Sequence, residues 1–204
     1  MLAEKFLGRY PSHFHINPIV KAFIISESLV WSAWNLITPI AAIFVVTNVS
    51  GGSIQSAAFG YSIYLGSRVI FELLIGRSLN GASDKKKFTY IAVGLFIITI
   101  SYLGFAFTSV LFVLYIFYFL QGLGISIATP AKNSLFSVHL DKNKEATEWG
   151  ITDAAILLSD ALAIMVGGFI AANFGFTPLF IIASTINLMG IIPYFLRFDK
   201  NIRI

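Results

Sequence analysis

The chain has 204 residues, of which 57% are hydrophobic and only 12% charged, with a mean hydropathy of +0.82. A water-soluble domain carries about 25% charged residues, so too little polar surface remains here to cover a soluble globule, and lipid must meet the rest. The net charge of +4 does not indicate a nucleic-acid partner, because the basic residues lie in short stretches between apolar runs, and the absence of cysteine excludes disulfides and thiolate metal sites.

Residues 1–18 lack an apolar core followed by a small-residue cleavage site, so they are expected to form a cytoplasmic leader rather than a signal peptide. Six stretches then have the length and apolarity to cross a bilayer: about 19–46, 54–76, 88–107, 109–138, 149–172 and 177–197. Residues 198–204 remain as a tail. The expected fold is all-α and polytopic, with six transmembrane helices. The first and fourth stretches are long enough to tilt or project. Each contains a Thr-Pro pair, Thr38-Pro39 and Thr129-Pro130, which bundle interiors tolerate as kinks.

The connections alternate in charge. Those near 47–53, 107–109 and 173–177 have no Lys or Arg. Of the 14 basic residues, all but Arg68 fall on the other side: Lys5, Arg9, Lys21, Arg77, Lys85, Lys86, Lys87, Lys132, Lys142, Lys144, Arg197, Lys200 and Arg203. That bias places both ends in the cytoplasm and the helices in the cell membrane.

Ionisable groups inside a span cost several kcal/mol and mark function by default. Glu27 lies about 12 Å along its helix from the basic side, Arg68 about 13 Å and Asp160 about 16 Å, at 1.5 Å per residue. They share a depth at which transporter sites gather. Glu27, Trp31, Asn35 and Thr38 recur at helical spacing with Trp34 beside them, forming a polar and aromatic stripe. Arg68 and Glu72 are four residues apart and can neutralise each other. Glu27 and Asp160 have no partner on their own helices, which makes them candidates for proton or ion coupling, with Arg68 as a possible counter-charge. Asp153 is expected near the inner surface, at the start of the fifth helix. His13, His15 and His139 are dispersed, so metal ligation is not expected. No phosphate loop, nucleophile elbow or metal-binding helix pattern occurs, so neither an enzyme nor a cofactor is expected.

The segment Leu114-Tyr-Ile-Phe-Tyr118-Phe-Leu-Gln121-Gly122-Leu-Gly124, followed by Ala128-Thr-Pro130-Ala, then Gly167-Gly168 and Asn173-Phe-Gly175-Phe-Thr-Pro178-Leu-Phe180, resembles one half of a major facilitator superfamily transporter. The resemblance implies a 3+3 repeat of helices and a cavity lined by the first and fourth. The stripe on the first helix, with Gln121 on the fourth, would then face the substrate. Gly122, Gly124, Pro130, Gly167 and Gly168 would serve helix packing. Gly81, Asp84, Lys85, Lys86 and Lys87 stand where this superfamily carries a cytoplasmic gate loop, although the second glycine of that signature is missing. Tyr118 and Ala163-Ile164 depart from the pattern of proton-driven drug antiporters. Members have two six-helix halves, so this chain is expected to pair with a second copy in parallel or with another six-helix half. The resulting expectation is a half-size secondary transporter of a small solute. The alternatives are a non-transporting scaffold or accessory subunit, or a split half of a longer carrier.

Overall fold

The computed structural model describes residues 16–201, with side chains to 196. Lys5, Arg9, His13, His15 and Arg203 lie outside the described residues, as do the side chains of Arg197 and Lys200. Six helical spans follow one another: Pro18–Asn48, Ile54–Ser78, Asp84–Phe107, Leu111–Val138, Glu145–Phe174 and Phe176–Leu196. Among the described residues the only β pairing is a single bridge, Ser50 to Val110.

Local chemistry sets the ends. Asn17 caps the first span by accepting from the Ile19 N–H, and Pro18 occupies the first turn, where no donor is needed. Ser53 and Ser56 form a reciprocal capping box at the start of the second span. Gly51 turns the chain between these spans at φ +75, a conformation that glycine adopts without a Cβ penalty. The first span is broken by a 3-10 turn over Thr38–Ile40, as its proline dictates. The fourth span stays α-helical through Pro130, which sits across from Gly76 of the second.

The third span packs against the fourth and sixth, the fourth against the second, and the first against the fifth and sixth. The backbones of the first and fourth come close at few points; their side chains meet toward the basic end, where Phe23 stacks on Phe136 with ring centroids 4.2 Å apart, and the cavity described below opens beside that contact. Small residues permit the close packing. A Cβ on Gly94 would fall 2.5 Å from the Gly124 carbonyl oxygen, one on Gly122 would strike Ser67 and the Tyr64 carbonyl, and one on Gly167 would strike the Leu36 carbonyl. Gly168 differs from the expectation, because nothing lies within 4 Å of its Cβ position. It is half-buried and makes no close helix contact within the bundle.

Polar groups close the gaps that lipid cannot satisfy. Asn187 of the sixth span donates to the Leu95 carbonyl (2.8 Å) and Thr99 Oγ1 (2.9 Å) of the third. Ser26 donates to the Gly190 carbonyl at 2.6 Å. Ser126 reaches back to the carbonyl of Arg68 at 3.1 Å.

Candidate functional site

A partly open cavity of about 270 Å³ lies among the first, second, third, fourth and fifth spans. Its walls include Glu27, Trp31 and Trp34 from the first span, Arg68 from the second, Lys132 from the fourth, and Trp149 and Asp153 from the fifth. A smaller space of about 40 Å³ lies beyond Trp34, which lines both, and is bordered by Thr38 and Gln121. The first-span stripe is therefore divided between two spaces, with Trp34 as the partition. Tyr64 holds that indole in place, with ring centroids 5.1 Å apart.

In the wall of the larger cavity an ion pair joins the first and fourth spans. Lys132 Nζ donates to Glu27 Oε2 at 2.9 Å and lies 2.7 Å from Oε1. The second contact is ionic only, without hydrogen-bond alignment. Trp31 Nε1 donates to the same Oε2 at 3.2 Å. Both charged side chains are over nine-tenths buried. A buried charge without a partner is far more costly than a paired one, so the pair fixes the distance between the first and fourth spans.

This geometry corrects two expectations. The partner of Glu27 is Lys132, not Arg68. Lys132, counted by charge alone with the basic loops, stands inside the fourth span, 6% exposed. The sequence carried a usable signal, since Lys132 is the one charged residue between 109 and 138. Arg68 instead pairs along its own helix with Glu72 at 2.8 Å and reaches the Tyr64 hydroxyl at 3.4 Å, the self-neutralised arrangement that the spacing allows.

Asp160 lies outside the larger cavity, beside Asn35 of the first span, and one of its oxygens is buried without a hydrogen-bond partner. Gln121 is buried against Tyr102. Thr38 spends its hydroxyl on the Trp34 carbonyl at 2.8 Å. Because the fifth span begins at Glu145, Asp153 stands two turns inside it rather than at its start. That shift brings Trp149, Thr152 and Asp153 to the cavity wall.

The basic ends of the spans are tied together. Asn17 donates to the His139 carbonyl at 3.2 Å, and His139 Nε2 lies 3.7 Å from Asp84 Oδ2. Glu148, 2% exposed, accepts from the Asp141 N–H at 2.9 Å. Asp84 to Lys87 form the first turn of the third span, so of the expected gate loop only Gly81, at φ +69, lies in a turn. Among the described residues no three His, Asp or Glu side chains converge as metal ligands.

Six helices, each long and apolar enough to cross a bilayer, packed around a charged cavity are the architecture of a multi-pass membrane protein. The sequence profile described as Major Facilitator Superfamily matches residues 23–202, and the chain belongs to that superfamily. The fold is similar to the in meso crystal structure of PepTSo, a POT family transporter, with a TM-score of 0.75 and 16% identity. The likeness covers 91% of this chain and 38% of that one, so the chain spans less than half the length of the solved transporter. No curated protein matches the sequence.

Proposed function

We propose that the chain is one six-helix half of a secondary transporter that moves a small solute by alternating access. The Glu27–Lys132 pair carries the reading. It crosses the gap between the first and fourth spans at the wall of the cavity. Neutralising Glu27 with a proton, or drawing Lys132 away with a solute, leaves a buried charge uncompensated and so favours a different packing of the two helices. A pair of this kind couples occupancy of the cavity to helix position. Asp160, beside Asn35, is the second coupling candidate, while Arg68 and Glu72 neutralise each other and serve the cavity as a fixed wall.

The second and fifth spans leave broad apolar faces uncovered, including Val69, Leu73, Leu158 and Met165. The working unit on this reading is a pair of bundles in the same orientation, formed by a second copy or by another six-helix chain. The longer solved transporter supports this reading, since the likeness occupies only part of it. The distribution of Lys and Arg supports a cell-membrane setting with both chain ends in the cytoplasm.

Reconstitution in liposomes with an imposed pH gradient and a solute panel tests the reading. Gradient-dependent uptake is expected in the native chain. In Glu27→Gln, uptake should persist only down the solute gradient. Assembled bundles that move no solute under any gradient would favour the scaffold reading instead.

A further inference from the structure

Four charged side chains line the larger cavity: Glu27, Arg68, Lys132 and Asp153. Two are neutralised by geometry, Glu27 against Lys132, and a third, Arg68, is neutralised by Glu72 on its own helix. Asp153 is different. It is exposed, it has neither an ion pair nor a hydrogen bond from its side chain among the described residues, and it stands on the face of the fifth span that turns toward the cavity, next to Thr152 and one turn from Trp149. Within this bundle the cavity therefore presents one carboxylate with no partner of opposite charge.

The rest of the wall suits the same kind of ligand. Three indoles, Trp31, Trp34 and Trp149, border the space. Trp31 and Trp149 are 38% and 40% exposed, so ring surface is free to meet a bound molecule. The indole N–H of Trp31 is already donated to Glu27, which leaves its π face as the remaining means of recognition. Indole faces attract cations through the ring quadrupole, most strongly where water is excluded. A carboxylate and three indoles thus line one space, with Trp149 backed by Phe136 at a centroid separation of 4.5 Å.

We propose that the cavity binds an organic monocation, an ammonium with an apolar body, with Asp153 as the counter-charge and Trp31 and Trp149 as the cation–π surfaces. The inference rests on the transport reading above and names its substrate class. A neutral sugar would leave Asp153 without a partner of opposite charge. A zwitterion would need a free cation for its carboxylate, and both cavity cations are already taken.

The test is a binding measurement on the full chain in lipid nanodiscs, read by quenching of intrinsic tryptophan fluorescence. The probes are choline and benzyltrimethylammonium as cations, 3,3-dimethylbutan-1-ol as the neutral isostere of choline, and glycine betaine as the zwitterion. The cations should saturate the quenching, and the isostere and betaine should bind about two- to fivefold more weakly, since one cation–π or counter-ion contact at a partly exposed site is worth that much. Asp153→Asn should weaken the cations by a similar factor and leave the isostere unchanged, with thermal stability as the control for folding. If the isostere or the betaine binds as well as choline, or if Asp153→Asn changes nothing, the cation assignment is overturned while the transport reading stands. If no probe binds, and liposomes also move no solute from the wider panel, both readings fall together.

Discussion

The third and fifth spans are almost equally apolar, yet half of the third is buried within the bundle and only 11% of the fifth. The difference lies in place rather than in polarity: the third span is held between the fourth and the sixth, whereas the fifth packs chiefly against the first. The third span turns Gly94, Thr99 and Ser101 toward its neighbours, all of them tightly enclosed. The fifth turns Leu157, Leu158, Leu162 and Phe169 outward. In a bilayer, apolar side chains gain little by leaving lipid for one another, so helix association follows from close backbone approach and polar links. Hydropathy says that a helix enters the membrane. Small residues say which of its faces meets another helix.

The largest effect should come from filling that close contact. Gly94→Leu would place its Cβ 2.5 Å from the Gly124 carbonyl oxygen and 2.8 Å from the Ala128 Cβ. The obstruction is backbone, which cannot rotate aside, so the loss should exceed the ~3 kcal/mol at the upper end of ordinary overpacking. Thermal unfolding in detergent should show little or no folded protein. A native-like melting curve would mean that the third span is not held where the structure places it.

Next in size is Lys132→Met, which strands the Glu27 carboxylate behind walls that admit little water. Breaking a buried pair from one side costs about 3–5 kcal/mol, and the open part of the cavity places this case at the lower end. The double variant Glu27→Gln with Lys132→Met should recover most of the loss, because neither charge is then left alone. Stability that fell further in the double variant than in the single would show that the two charges do not compensate each other in the fold.

The same pair shows where the sequence was legible and where it was not. Six spans follow from hydropathy alone, since a bilayer imposes a length that no short-range preference can disguise. Arg68 and Glu72 were readable as partners because helix geometry brings positions four apart together. Glu27 and Lys132 are 105 residues apart, and no periodicity connects them. Only their being the one acid of the first span and the one charged residue of the fourth hinted at the contact. Asp153 and Trp149 were obscured for another reason. The turn from Glu145 to Glu148 continues the fifth helix past its apolar stretch, and that extra turn sets Asp153 two turns into the helix, at the cavity wall.

A smaller effect is expected at the link between the third and sixth spans. Asn187→Leu removes two hydrogen bonds to Leu95 and Thr99. It also removes an amide oxygen that is buried without a partner, which offsets part of the loss. Interhelical hydrogen bonds in membranes are worth about 0.6–1.7 kcal/mol, so a net loss of about 1 kcal/mol or less should appear in chemical denaturation. A loss several times larger would mean that polar links, rather than the small-residue contacts, dominate the packed side.

The smallest effect on folding should come from the open side, and it is the most informative for the working assembly. Gly168→Leu places a large side chain where nothing stands within 4 Å, so stability should change by less than about 0.5 kcal/mol. Gly167, its neighbour in sequence, is pressed against the Leu36 carbonyl, and Gly167→Leu should unfold the bundle. Two adjacent glycines would thus separate cleanly into one that serves the fold and one that does not. If the outward face of the fifth span meets a second bundle, Gly168→Leu should disturb that association while leaving the single bundle intact. Crosslinking in membranes together with the melting temperature distinguishes the cases. Unchanged melting with lost crosslinks places the interface on this face, and unchanged melting with unchanged crosslinks leaves the face to lipid.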